Sequence, residues 1–285
     1  MAEKMPEDAK LLYLDLLKRA LTGSIIDEDV EPAGMADDLS RAPRNVARRA
    51  VRKTLSAALG KAGFVLMRRK NVDPSTRAEG RNWPWLAHTM IGRKRLDNIQ
   101  ACVEDVLKNG VPGDLIETGV WRGGSTIFMR GILKAYGVTD RLVWVSDSFA
   151  GLPPPDAKNP DDSVFRLHNV AYLAVSLEKV QEHFGRYGLL DDQVRFLKGF
   201  FSETLPKAPI GKLAVLRFDG DMYGSAMDVL NNLYDKLSSG GYLIVDDYNC
   251  IDACKKAVDD FRRSRGIQDP IVNVDWSGVY WKKTR

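Results

Sequence analysis

Cysteine and histidine are both scarce in this 285-residue chain, with three of each. Cys102, Cys250 and Cys254 cannot all pair, and their spacing does not form a zinc framework. Cys250 and Cys254 lie one helical turn apart, as two core-facing residues would. A disulfide scaffold is therefore excluded, and a reducing, cytoplasmic setting is expected. No stretch approaches the roughly 20 apolar residues of a membrane span. The opening MAEKMPEDAK lacks the apolar core of a secretory signal. A G-x-G-x-x-G fingerprint is missing too, which argues against a nicotinamide oxidoreductase. Internal repeats and low-complexity tracts are absent.

Charge is unevenly spread. The net charge is +4, yet residues 1–40 hold ten acids against four bases, residues 41–70 hold ten bases and no acid, and the remainder balances. Residues 6–22 predict a helix, with Pro6 in the first turn, acids early, bases late and Gly23 after the end. Residues 24–40 form an acidic linker. In the basic arm 41–70, Val46, Ala47, Ala50, Val51, Thr54, Leu55, Ala58 and Leu59 share one helical stripe opposite a face of Arg and Lys. The arm suits packing on the acidic segment, or peripheral contact with an anionic membrane or lipid-linked acceptor. Nucleic acid is disfavoured, because the arm has no interleaved aromatics and residues 71–285 are neutral. The expected division is a helical extension over 1–80 and a catalytic domain over 81–285.

From residue 114 strands and helices alternate. Strands are expected at 114–119, 142–147, 194–199, 213–221 and 241–247, with helices between them and a further helix near 251–265. This pattern implies a parallel sheet covered on both faces. Two last strands around Ser277-Gly278 predict an antiparallel hairpin.

Open parallel sheets bind ligands at the carboxyl ends of their strands. Glu117, Asp147, Asp219 and the Asp246-Asp247 pair all fall at or near such ends. Gly119, Gly123 and Gly124 in ETGVWRGGS allow close approach to the backbone, while Trp121 and Arg122 crowd the place a pyrophosphate would take. Asp147 can accept hydrogen bonds from both ribose hydroxyls of an adenosyl group. A cofactor without phosphates, S-adenosylmethionine, fits this combination better than NAD or ATP. Strands ending at Asp219 and Asp246 are separated by one crossover helix, so they should be neighbours and bring three carboxylates together. Oxygen-only ligands favour Mg²⁺, Ca²⁺ or Mn²⁺. Asp221 is read as a cap for the helix starting near Tyr223. His183 is read as structural, and His88 and His168 as candidate pocket residues. Trp83 and Trp85 are read as core anchors ahead of a sugar platform.

The segments HTMIGRKRLDNIQ, ETGVWRGGS, DSFAGLPPPD, YLAVSLEKVQEHFGRYGLLDDQV, LKGFFSETLP, FDGDMYGSAMDVL and GGYLIVDDYN, with the N-terminal LYLDLLKRALT, resemble the macrocin O-methyltransferase (TylF/MycF) family. The resemblance implies a class I methyltransferase fold, a Rossmann-like, mostly parallel seven-stranded sheet. It implies S-adenosylmethionine as methyl donor, Mg²⁺, and Asp219 as both metal ligand and general base, with Asp246 and Asp247 as the other ligands. It also implies cofactor contacts from Met90, Glu117, Gly119, Ser125, Asp147 and Ser202. Phe200 stands where the family often has Trp. The leading expectation is a Mg²⁺-dependent, homo-oligomeric O-methyltransferase acting on a hydroxyl of a glycosylated small molecule. The alternatives are methylation of a catechol-like phenol and a non-catalytic adenosyl-binding module.

Overall fold

The computed structural model describes residues 6–26, 30–33, 46–155, 159, 162 and 167–285, omitting the side chains of 46–49 and 53. Much of the acidic linker and the first residues of the basic arm lie outside the described residues. Among the described residues no helix is long and apolar enough to cross a membrane.

Two short strands, β1 (Val30–Pro32) and β2 (Met67–Arg69), form an antiparallel ribbon that sequence patterning did not suggest. Its anchor is Glu31, which is buried and paired with Arg68 and, at 2.7 Å, with Lys70. Burial works against that carboxylate, but the two bases hold its pKa below the ordinary range. Acidic and basic segments thus meet here within one chain.

The main sheet contains β3 (Asp114–Thr118), β4 (Val143–Asp147), β5 (Val194–Lys198), β6 (Leu213–Phe218), β7 (Leu237–Val245), β8 (Val272–Asn273) and β9 (Val279–Lys282). Their spatial order is β5-β4-β3-β6-β7-β9-β8. The first five are parallel, and β9 runs antiparallel between β7 and β8. The class I methyltransferase sheet and its C-terminal hairpin are both present. Order reverses at β3/β6, the switch point where a ligand crevice opens.

The central strands β3, β4 and β6 are buried on both sides because helices cover both faces. On β3, Leu115 belongs to one apolar cluster and Ile116 to the other. The first cluster takes in Leu14, Leu17 and Leu21 of the Glu7–Leu21 helix together with Ile127 and Phe128 of the Gly124–Ala135 helix. The second holds Val229 and Leu230 of the Tyr223–Leu233 helix and Phe261 of the Asp252–Arg265 helix. Burying one Leu or Phe of this kind contributes about 1.5–3 kcal/mol.

Candidate active site

The carboxyl ends of β3, β4 and β6 open onto a cavity of about 580 Å³. Met90, Gly119, Trp121, Asp147, Ser202 and Asp219 are among the residues that line it. Gly119 has φ +82°, and a Cβ there would overlap the Asp219 carbonyl oxygen. The turn after β3 and the acid after β6 are therefore in direct backbone contact, a closeness only glycine permits. Trp121 also adopts a left-handed conformation, with φ +47°. Its indole donates to the Tyr172 carbonyl at 2.9 Å, with the Arg122 guanidinium 4.3 Å above its ring. A bulky residue held in this region marks a conformation fixed by its surroundings.

Asp147 ends β4 with one carboxylate oxygen accepting the Val120 amide at 2.7 Å and the other accepting the Phe149 amide at 2.8 Å. Burial raises its pKa and these amides pull it down. Oδ1 also accepts from the Ser148 hydroxyl at 3.4 Å, and Oδ2 keeps a lone pair for a further donor such as a ribose hydroxyl. Glu117 and Ser125 lie beneath the cavity. Glu117 is buried, bonded to Thr126 and Arg217, and Ser125 packs 3.5 Å from the Thr89 hydroxyl. Neither is among the residues lining the cavity.

The acids at the far end differ from the expected set. Carboxylate oxygens of Asp219, Asp221 and Asp247 all lie within 4.8 Å of one another. Asp246, like Asp219, falls on the same face as Arg217, which pairs opposite Ile244 in the β6–β7 register. One Asp246 oxygen accepts from Arg217 and the other from Arg95. Burial alone would raise its carboxyl, yet the two guanidiniums hold it below the ordinary range. Asp246 is thus engaged by two arginines, while Asp221 lies with Asp219 and Asp247 and Asp246 stands close enough to raise all three. Asp221 is not the helix cap. The Asp162 carboxylate accepts the Tyr223 amide at 2.6 Å and the Gly224 amide at 3.0 Å, while Asp221 sits in a turn at φ +55°.

The cluster is electrostatically strained. Burial first, then the neighbouring acids, raise Asp219 and Asp247 well above the ordinary carboxylate range, and Arg217 only partly offsets this for Asp219. Asp221 is pushed up to about 7 by burial and by Asp246. Asp247 Oδ2 is buried and has no hydrogen-bond partner among the described residues. An oxygen-only cluster with an orphaned buried acceptor matches what a hard divalent cation requires.

The histidines brace the cavity from behind. His88 Nδ1 is 2.7 Å from the Tyr187 hydroxyl, and its ring centroid is 4.4 Å from that of His183. Burial and the positive groups nearby push His88 down to about 4, so it is neutral at physiological pH. His168 does not line the cavity. Trp83 and Trp85 stack on Tyr172 at 5.6 and 6.0 Å, behind Trp121 rather than on the cavity wall. Sequence reasoning missed Arg95, Arg217, Asp162 and the closeness of Asp221 to Asp219 and Asp247. Arg217 carried the clearest signal, since a lone Arg inside the apolar LAVLRF run has to be paired.

Comparison with known proteins identifies the family. The family model "Macrocin-O-methyltransferase (TylF)" matches residues 10–283. The chain is 51% identical over 282 residues to a Streptomyces olivaceus enzyme named 8-demethyl-8-(2,3-dimethoxy-alpha-L-rhamnosyl)-tetracenomycin-C 4'-O-methyltransferase, covering 98% of this chain and 95% of that one. It is 48% identical over 283 residues to mycinamicin III 3''-O-methyltransferase of Micromonospora griseorubida, covering 98% and 99%. The solved structure of the O-methyltransferase NovP superposes with a TM-score of 0.81 at 47% identity, covering 97% of this chain and 100% of that one. With nearly its whole length matched in sequence and in fold, the chain is an O-methyltransferase and belongs to the macrocin O-methyltransferase (TylF) family.

Proposed function

We propose that this enzyme transfers the methyl group of S-adenosylmethionine to a hydroxyl of a sugar carried by a small molecule, at a divalent cation held by Asp219, Asp221 and Asp247. The observation that carries this reading is one cavity bounded by Asp147 and by the acid cluster, with the Gly119 turn between them. Relatives named for methylating positions on glycosylated natural products favour a sugar over a phenol.

Asp147 would anchor the ribose diol of the donor, and Gly119 leaves the room its backbone approach needs. Trp121 lines the cavity beside Gly119 and would crowd a diphosphate, which favours an adenosyl donor over a dinucleotide, while Arg122 is drawn off to the Trp85 and Ala87 carbonyls. A divalent cation on the three carboxylates would supply Lewis-acid polarisation of the acceptor hydroxyl, lowering its pKa. Asp219 reaches the cavity with a side chain 30% exposed, and its other side leans on Arg217 at 3.3 Å. It is therefore the carboxylate placed to accept the hydroxyl proton as the new C–O bond forms. The cavity walls around it would hold donor and acceptor in line.

The direct test is transfer of labelled methyl from S-adenosylmethionine to a panel of glycosides and catechols. Transfer to glycosides is expected, and a protein that methylates only catechols would favour the phenol reading. NAD should not compete for the donor site, and tight NAD binding by calorimetry would sink the assignment of Trp121.

The raised carboxyls give a signed pH prediction. Without a cation the cluster retains protons near neutrality, because Asp221 is pushed up to about 7 and its two neighbours are also raised. Cation binding must expel those protons, so affinity should rise as pH increases towards neutral. Calorimetry of Mg²⁺ or Mn²⁺ binding in buffers of different ionisation heat should show about one proton released per ion slightly below neutral pH. Binding with no proton release would contradict the cluster as ligand set.

A further inference from the structure

Beyond Asp219 the cavity wall continues through Met222 into Gly224 and Ser225, in the first turn of the Tyr223–Leu233 helix. Two residues from the loop after β4, Asn159 and Asp162, line the cavity with that turn. They are joined to each other, the Asp162 amide donating to the Asn159 carbonyl at 3.0 Å. Asp162 is 1% exposed, and its two carboxylate oxygens accept the Tyr223 and Gly224 amides. It fastens the loop to the helix. Asn159 is only half-buried, and its side-chain amide has no hydrogen-bond partner among the described residues. That amide lies over Gly224, where a Cβ would come within 2.8 Å of its nitrogen. The side chain missing at 224 is thus the space the amide occupies. Among the described residues that line the cavity, Asn159 carries the only side-chain amide.

We propose that Asn159 is a specificity-determining residue that reads a hydroxyl of the sugar acceptor, and that Asp162 is the residue that positions it. The inference rests on the sugar-acceptor reading given above. A primary amide offers two N–H donors and a carbonyl oxygen, and a sugar hydroxyl can both accept from the first and donate to the second. A sugar whose reacting hydroxyl lies at Asp219 has the wall from Met222 to Ser225 beside it, and the amide stands over that wall. A site that hydrogen-bonds a substrate hydroxyl discriminates against an analogue lacking it, because its own polar group is then left without a partner. Asp162 makes no such contact itself. Its bonds to two helix amides fix where the turn sits, and the turn carries Asn159 into the cavity.

The test is methyl-transfer kinetics on the glycoside most readily methylated in the panel above and on its monodeoxy analogues. Full-length wild type is compared with Asn159→Ala, Gly224→Ala, Asp162→Asn and Asp162→Ala. In wild type, removing one particular hydroxyl other than the methylated one should lower kcat/KM roughly tenfold. Asn159→Ala should show a similar loss on the parent glycoside, carried by KM, and be indifferent to removal of that hydroxyl. Gly224→Ala pushes the amide aside and should behave the same way, with a melting temperature no lower than wild type, since Ala suits a helix better than Gly. Asp162→Ala should raise the KM for the glycoside and lower the melting temperature, and Asp162→Asn, which keeps one accepting oxygen, should recover part of both. Affinity for S-adenosylmethionine should stay at the wild-type value throughout. Equal penalties for every deoxy analogue in wild type and Asn159→Ala overturn the role of Asn159. A lower melting temperature in Asp162→Ala with KM unchanged overturns the role of Asp162. If that variant does not fold, unchanged KM in Gly224→Ala overturns the proposal instead. A wild type that methylates no glycoside overturns the sugar-acceptor reading itself, a result distinct from these.

Discussion

Asp219→Asn is expected to slow methyl transfer by roughly a hundredfold to ten-thousandfold, the usual cost of losing a general base. Asn keeps a carbonyl oxygen for a cation and can still accept from Arg217, but it cannot take a proton at neutral pH. Donor and acceptor affinity should therefore change far less than the rate. Asp219 suits the role because burial and the nearby Asp246 charge raise its carboxyl while its side chain still opens into the cavity. Single-turnover transfer across pH, with both substrates and cation saturating, separates the roles. Near-wild-type rates at neutral pH would falsify Asp219 as the base and point to bulk water or Asp221.

The second large effect separates neighbours in sequence. Asp247→Asn should abolish tight cation binding and lower activity by roughly a hundredfold or more, in line with loss of a positioned catalytic group. It should leave the melting temperature unchanged or higher, because it removes a buried carboxylate that burial and three nearby acids already destabilise. Asp246→Asn should behave in the opposite way. It breaks buried pairs with Arg95 and Arg217, and stranding a buried charge commonly costs about 3–5 kcal/mol. Its melting temperature should fall by several degrees, with cation binding weakened but retained. Calorimetry and thermal melts on the two variants give the comparison. Equal loss of cation binding without loss of stability in Asp246→Asn would restore Asp246 to the ligand set.

The fold was legible because the central strands are apolar on both faces and end in acids, a pattern that only a covered parallel sheet satisfies. The Ser277-Gly278 turn likewise announced the final hairpin. Adjacency of β6 and β7, and with it the meeting of acids, followed from a single crossover helix between them. What could not be read was which acids would face one another. Asp246 and Asp247 are successive residues, and nothing in the sequence shows that Arg95 and Arg217, distant in the chain, engage the first of them. Asp221 reads as a cap in the sequence because nothing there shows that Asp162, some sixty residues earlier, satisfies those amides. The β1–β2 ribbon was missed for a related reason. Its strands are very short and depend on Glu31 meeting Arg68 and Lys70 from beyond the Val46–Lys61 helix, with no periodic pattern to reveal it.

The cation held by three carboxylates is the central claim, and methyl transfer to a glycoside in excess EDTA, then with Mg²⁺ restored, tests it most directly. The arrangement of Asp219, Asp221 and Asp247 predicts that the chelator abolishes transfer while donor binding persists, and that Mg²⁺ or Mn²⁺ returns the full rate. Undiminished transfer in excess EDTA would contradict it.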